Sequence, residues 1–519
     1  MDKIAIIDFG GQYCHLIARR IRDLGVYSEI LPFNTKFNNL AKLQPKGIIL
    51  SGGPSSVYED NSPKLSKQTF EWILEKKIPI LGICYGFHFL IYELGGKIEL
   101  KEKKEYGKTE LNIIQPNLIL NELTKKEIVW MSHGDQVISL PKGFEILAKT
   151  ENCPIAAFGN NEQKIYGVQF HPEVTNTPKG KKILENFIIK VCKCEREWEL
   201  KDWINRKINE VKDEVGEKNN VILGLSGGVD SSVVALLLHK AIGDRLHCIF
   251  INNGVLRKFE EIEVQETFKA NLGFKNFHFI DAEEIFLKRL KGVEDPEEKR
   301  KIIGHTFIEV FEKKTIELEH LFPNIKYLAQ GTIYPDRVET ATTSNASAKI
   351  KSHHNLMLPE NMTLKIIEPL KDLYKDEVRK IGIELGLPEK IIERHPFPGP
   401  GLAVRIIGAI DKEKLNILRD ADAILIEEIK KAGVYKNLWQ AFCVFLPLKT
   451  VGIMGDFRTY EYICAIRAVE SLDAMTANFA KLSWELLEKI GTRIINEVKG
   501  INRVVYDISN KPPSTIEYE

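Results

Sequence analysis

Strand-length apolar runs that end on glycine and lead straight into a helical pattern recur through roughly the first three-quarters of the 519 residues. That alternation constrains the chain more than any other feature, because strand, turn and helix in repetition build parallel sheets covered by helices. Lys3–Asp8 is the first such strand, followed by Gly10-Gly11 and a helix carrying Leu16, Ile17, Ile21 and Leu24. Gly47–Ser51 and Ile78–Ile83 repeat the pattern, Pro172 stops a strand over Lys164–Phe170, and Lys181–Cys194 reads as a closing helix. An amphipathic helix around Trp203–Val215 leads to a second series of strands at Val221–Leu225, His247–Asn252, Phe277–Asp281 and Lys326–Ala329. Thr340–Lys351, rich in Thr, Ser, Ala and Asn, reads as a mobile loop. Pro396-Phe397-Pro398-Gly399-Pro400-Gly401 is the strongest punctuation in the chain, and a smaller α+β pattern follows it. The expected fold is α/β: two doubly wound, mostly parallel-sheet domains over 1–200 and 201–394, and a small α+β domain over 395–519.

Charge narrows the function. The 73 Lys+Arg against 72 Asp+Glu leave a net charge of +1 without a basic tail, which argues against a nucleic-acid partner that must neutralise many phosphates. Small anionic ligands need only local positive charge. No apolar run approaches the ~20 residues that span a bilayer, and Met1-Asp2-Lys3 before Ile4–Ile7 carries no signal-peptide pattern. With 8 scattered cysteines, a disulfide framework is not expected and a cytoplasmic location is.

Three segments carry one chemistry. Ile80–Gly86 reads I-L-G-I-C-Y-G before a helical pattern, as in a nucleophile elbow that exposes its central side chain and aims helix-end N–H groups at a developing oxyanion. A buried structural thiol is the alternative for Cys84 taken alone. Gly167-Val168-Gln169-Phe170-His171-Pro172-Glu173 adds a base and a carboxylate at i and i+2, positions that face the same way in extended chain. With Ser51-Gly52-Gly53-Pro54, these motifs resemble the class I glutamine amidotransferases over about 190 residues. The resemblance implies Cys84 as nucleophile, His171 as base and then acid, and Glu173 as its orienter. It also implies an oxyanion and glutamine site at Gly52, Gly53, Tyr85, His133 and Asp135. His88 stands where that family has Gln, and Asn176 where His often follows.

A second loop carries another. Leu223-Gly224-Leu225-Ser226-Gly227-Gly228-Val229-Asp230-Ser231-Ser232 joins a strand to a helix, so its N–H groups and the helix end favour phosphate. No Lys-Ser/Thr pair follows the glycines, which excludes a Walker A loop. The S-G-G-x-D-S pattern resembles the PP-loop ATP pyrophosphatases, implying ATP contacts from Ser226, Gly227, Gly228, Val229, Asp230, Ser231 and Ser232, with Mg²⁺ on Asp230. Gln330–Asp336, Ile350–Asn355, His395–Leu402, Val451–Tyr460 and Lys511–Glu519 together resemble the glutamine-hydrolysing GMP synthase family from end to end.

That resemblance implies glutamine, ATP and XMP as substrates, and a homodimer formed through the last domain. It implies a lid with Asp336, Glu339, Lys351, His353 and His354, and XMP contacts from Arg300, Gln440, Asp456, Lys511, Ile516 and Glu517. Leu356-Met357, Asn252 and Phe457 depart from the family pattern. An amidase fused to an NAD-synthetase-like domain is the alternative enzyme, and the terminal K-P-P-S-T-I-E segment argues against it.

Overall fold

Ile4, Ala5, Ile6 and Ile7 have no exposed surface, the mark of a strand covered on both faces. They form β1 (Lys3–Asp8) in a computed structural model that describes residues 1–115, 117–343, 364–454, 456–471 and 476–519. The chain divides into two compact units, the bulk of the first being Met1–Trp203. The second comprises Ile204–Tyr334 and the described residues from 364 to 519.

In the first unit β1 is joined by β2 (Tyr27–Pro32), β3 (Gly47–Leu50), β4 (Ile80–Ile83), β5 (Lys97–Ile113), β6 (Lys126–Ser139), β7 (Glu145–Lys149), β8 (Ala157–Asn160) and β9 (Ile165–Val168). Their order is β2-β1-β3-β4-β9-β8-β7-β5-β6. The five strands from β2 to β9 are parallel, and the remaining four extend the sheet antiparallel. β4 and β9 are neighbours in a register that pairs Ile83 with Val168, so the residues after both strands emerge side by side. Helices Cys14–Arg22, Lys67–Glu75 and Tyr85–Glu93 pack on this sheet through Ile17, Phe70, Phe87 and Phe89, and Ser66 caps the second of them. The expected closing helix runs as Gly180–Glu185 and continues as a π-helical stretch, Asn186–Val191.

The second unit opens with the helix Leu200–Val215, whose last residues belong to it, and a parallel sheet of β10 (Asn220–Gly224), β11 (Leu246–Asn252), β12 (Phe277–Asp281), β13 (Ile325–Ala329) and β14 (Lys365–Ile367). The order β12-β11-β10-β13-β14 reverses direction at β10, and that switch point opens a crevice at the carboxyl ends of β10 and β13. A second sheet pairs β15 (Gln440–Met454) with β16 (Phe457–Glu470), and β16 also pairs with β17 (Asn478–Phe479) and β18 (Ile501–Tyr506). Helices Lys412–Lys431 and Trp484–Glu497 pack on it. One apolar core includes Ile222 of β10, Leu425 and Ile501 of β18, so the parallel sheet and the residues after 395 share buried surface.

Thr340–Thr343, read from the sequence as the start of a loop, closes the helix Tyr334–Thr343. Its three threonines are weak helix formers, whereas Ala341 among them is a strong one. The rest of that stretch lies outside the described residues. All eight cysteines are free and buried, and among the described residues no helix is long and apolar enough to cross a membrane.

Candidate active site

Cys84 ends β4 and caps the helix Tyr85–Glu93 with φ 52° and ψ −102°, a conformation that costs an L-residue on the order of 1–3 kcal/mol. The flanking glycines explain how the turn closes. A side chain on Gly82 would run into the carbonyl of Gly86, and one on Gly86 into the carbonyl of Leu50. The Cys84 N–H donates to Val168 O at 2.9 Å, which ties the elbow to β9. Its thiol donates to Ser132 O at 3.6 Å. Ahead of it, the helix start leaves backbone N–H groups without helical acceptors, a ready donor set for negative charge.

His171 lies three residues past β9, with Nδ1 2.6 Å from Oε1 of the buried Glu173. A carboxylate accepts, so Nδ1 carries the proton and Nε2 is left for the reacting side. Burial of the ring opposes its charged form, but Glu173 and the Cys84 side chain outweigh burial and hold the imidazole well above its ordinary value. The His171 backbone is pinned as well. Its N–H donates to Trp130 O at 3.0 Å, while Thr177 Oγ1 donates to its carbonyl at 2.7 Å and accepts from Trp130 N–H at 3.0 Å. Arg20 Nε donates to Glu173 O at 3.0 Å, and the Tyr13 ring meets the imidazole edge-on at 5.1 Å.

Gly52 sits between the two side chains: a Cβ there would be 3.4 Å from His171 Cε1 and 3.8 Å from Cys84 Cβ. Ser51 Oγ accepts from Phe9 N–H at 3.0 Å and donates to Gly52 O at 2.9 Å, which fixes the glycine loop. Gly53 packs against the Tyr85 ring, whose hydroxyl donates to Pro63 O at 2.7 Å. Asp135 accepts from Tyr58 OH at 2.9 Å, and His133 turns its ring toward the interior, Nδ1 standing 2.9 Å from Asp135 O. His88 and Gln169 are buried nearby, and the His88 imidazole is pushed down to about 4 by burial.

In the second unit the loop after β10 is held by its own serines. Ser226 Oγ and Ser231 Oγ are 2.9 Å apart, Gly228 N–H donates to Ser226 Oγ at 3.3 Å, and Ser232 Oγ donates to Gly228 O at 2.7 Å. Gly227 takes φ 75°, and Val229 opens the helix Val229–Ile242, so the loop's N–H groups gather at a helix N-terminus. Asp230 in its first turn is gripped by Lys375 Nζ at 2.6 and 2.7 Å. Arg394 donates to Gly227 O at 3.3 Å and to Glu260 at 2.8 Å. Neither Lys375 nor Arg394 was legible as a site residue; each comes from more than 140 positions away in sequence. The capping box of Tyr374 and Glu377 marks only a helix start at Lys375. A Cβ on Gly331, after β13, would stand 3.5 Å from the Asp230 Cβ, so Gly331 lies beside this loop.

Gln440 and Glu517 meet: Gln440 Nε2 donates to Glu517 Oε1 at 2.7 Å, and the buried Arg405 grips both Glu517 oxygens at 2.9 and 3.0 Å. Arg405 is a third cation the sequence pattern missed. Arg300 Nη2 donates to Glu519 O at 2.6 Å, and the fully buried Lys299 pairs with the Glu519 carboxylate. Ile516 packs on Phe442 and Val444, and Lys511 exchanges backbone hydrogen bonds with Ala477 at 2.8 and 3.0 Å. Asp456 is not brought to this group, because it lies past the far end of the 15-residue β15 that begins at Gln440. Asp336 is in the helix Tyr334–Thr343, whereas the Glu339 side chain, Lys351, His353 and His354, like Leu356-Met357, lie outside the described residues.

Residues 5–191 match the family described as Glutamine amidotransferase class-I, residues 198–301 the NAD synthase family, and residues 427–518 the GMP synthase C terminal domain. The chain is 55% identical to a protein named GMP synthase [glutamine-hydrolyzing] from Brachyspira hyodysenteriae, across 100% of this chain and 99% of that relative. Relatives of the same name from Aquifex aeolicus and Thermosipho melanesiensis are each 56% identical, covering 99% of both chains and 100% of both chains respectively.

Proposed function

The chain belongs to the glutamine-hydrolysing GMP synthase family, and from that premise we propose that Cys84, His171 and Glu173 release ammonia which the second unit uses to aminate XMP. The overall reaction is glutamine, XMP, ATP and water to glutamate, GMP, AMP and pyrophosphate. The observation that carries the assignment is the strained Cys84 elbow beside a buried His171–Glu173 pair, on adjacent parallel strands.

Cys84 attacks the carboxamide carbon as thiolate, its proton having passed to His171. The Gly52-Gly53 loop and the N–H of Tyr85 receive the developing oxyanion. Asp135, braced by Tyr58, holds the amino end of glutamine, and His133 supports it from behind through its carbonyl. His171 then gives its proton to the departing nitrogen, ammonia leaves, and a thioester remains. Water, deprotonated by His171, adds to the thioester, and glutamate departs as the Cys84 sulfur is regenerated. Glu173 keeps Nδ1–H in place throughout.

In the second unit the oxygen on C2 of XMP attacks the α-phosphorus of ATP, pyrophosphate leaves, and ammonia displaces AMP from C2. Ser226 to Ser232 cradle the phosphates. Lys375, released from Asp230, meets the charge that grows on pyrophosphate. Asp230 offers hard carboxylate oxygens at the loop, the donor type Mg²⁺ takes alongside substrate phosphates, and the ion would neutralise those phosphates. Arg300, Gln440, Lys511, Ile516 and Glu517 border the XMP site, and Asp336, Glu339, Lys351, His353 and His354 form the lid.

The division into 1–200, 201–394 and 395–519 is part of this reading, as is a homodimer through the last segment. Exposed Val451, Ile453, Phe457 and Tyr460 on the β15–β16 hairpin support the homodimer. Eight buried free thiols support a reducing cytoplasm. Incubating the protein with XMP, MgATP and glutamine and identifying the products tests the reading: GMP, AMP and pyrophosphate are expected, and ADP in their place rejects it.

A further inference from the structure

Behind the strand that carries Ser132, three side chains of different chemistry converge from separate parts of the first unit. Glu105 comes from β5, His133 from β6 opposite it, and Cys153 from the turn between β7 and β8. One ligating atom of each lies within 4.8 Å of the others, and the residues are 6%, 8% and 1% exposed. None belongs to the Cys84 triad.

The protonation pattern of His133 leaves a gap in this cluster. Its Nδ1 faces the carbonyl oxygen of Asp135, which can only accept, so Nδ1 carries a proton and Nε2 is the ring nitrogen left to bind a cation. That Nε2 is buried without a hydrogen-bond partner and stands 3.5 Å from Glu105 Oε2, another acceptor. Two acceptors facing each other away from water are costly unless something positive lies between them. A proton shared as N–H···O would draw the atoms to about 2.7–3.2 Å. Two ligands on one tetrahedral zinc, with bonds of ~2.0–2.1 Å, stand about 3.4 Å apart, close to the 3.5 Å between His133 Nε2 and Glu105 Oε2.

The outer contacts suit a metal as well. Thr150 Oγ1 lies 2.9 and 3.0 Å from the two Glu105 oxygens and accepts from Cys153 N–H at 2.9 Å, while Asp135 O fixes the His133 tautomer. Imidazole, carboxylate and thiol together form a borderline-soft N/O/S donor set, the kind zinc takes. We propose that Glu105, His133 and Cys153 bind one zinc ion that ties the β5–β6 hairpin to the 150–153 turn. Without the ion the Cys153 thiol donates to Ile155 O at 3.3 Å, and binding releases that proton. Because Ser132 is the neighbour of His133 and accepts from the Cys84 thiol, the ion steadies the strand behind the nucleophile without touching substrate.

The test uses untagged full-length protein carrying Cys84→Ala, which removes the other thiol–imidazole pair able to take a metal. After chelator treatment and loading, this protein should keep about one zinc per chain through desalting. Cobalt in place of zinc should give a thiolate-to-metal charge-transfer band, and zinc should raise Tm. Adding Cys153→Ser should abolish the band and the Tm rise, and Glu105→Gln should weaken zinc binding about 10–100-fold while the band persists. Absence of the band in Cys84→Ala, or its survival after Cys153→Ser, overturns the proposal. Should Cys153→Ser not fold, Glu105→Gln decides alone: unchanged zinc affinity overturns the site and weakened affinity supports it.

Discussion

The two reaction centres are prepared in opposite ways. Around Cys84 every reacting group is already in place, with the nucleophile strained at φ 52°, the base on a buried carboxylate and the base's backbone fixed at both ends. In the second unit the charged groups are paired with one another, Lys375 on Asp230, Arg405 on Glu517 and Arg394 on Glu260. The difference follows from the chemistry. The first site forms covalent bonds with its own sulfur, so its geometry must exist before substrate arrives. The second makes no bond to protein and must bind anions, so its cations wait on carboxylates that phosphates later replace.

Removing a preassembled reacting group should have the largest effect. Cys84→Ala is expected to lower glutamine-dependent GMP formation by about 10³-fold or more, measured as initial rate at saturating glutamine. Glu173→Gln should cost about 10²–10³-fold in the same assay, because the imidazole loses its orienting charge. It should also change stability with pH. The folded-state pKa of His171 is raised, so its contribution is full below the unfolded value of ~6.5 and is lost as pH rises through the folded value. The Tm gap between wild type and Glu173→Gln should therefore be widest near about pH 6 and close toward alkaline pH.

A placeholder cation should behave differently. Lys375→Met is expected to cost about 10²-fold in GMP formation with either glutamine or ammonium, yet to change stability by about 1 kcal/mol or less, since both partners are partly exposed. A large fall in Tm would show that the pair is structural and would break the contrast. The smallest effect is assigned to Thr177→Val. Losing the hydrogen bond to the His171 carbonyl should lower glutaminase kcat about fivefold with KM unchanged, corresponding to ~1 kcal/mol.

What could be read from the sequence was what is local in it. The Cys84 elbow declares itself because its glycines stand two residues to either side, and His171 and Glu173 share one short segment. The phosphate loop is likewise contiguous from Ser226 to Ser232, and the parallel strands are legible because burial on both faces makes them continuous apolar runs. The antiparallel half of the first sheet was not legible. Lys97–Ile113 carries Glu99, Lys101, Glu102, Lys103, Lys104 and Glu105 in one run, a composition that resembles a solvated loop, yet it pairs along β6. Lys375, Arg394 and Arg405 escaped for another reason: each meets its partner across more than 100 residues, and no spacing rule reaches that far. The His133–Glu105 contact is hidden by the register shift between Leu100 and Glu105, which sets the facing pair.

The central claim is that ammonia is made at one site and consumed at another with its own machinery. It is tested most directly by supplying the Cys84→Ala protein with ammonium, XMP and MgATP and following GMP. The account predicts that this protein forms GMP and AMP at close to the wild-type ammonium-supported rate, while glutamine supports none. Loss of the ammonium-supported reaction along with the glutamine-supported one, in a protein of unchanged Tm, would contradict it.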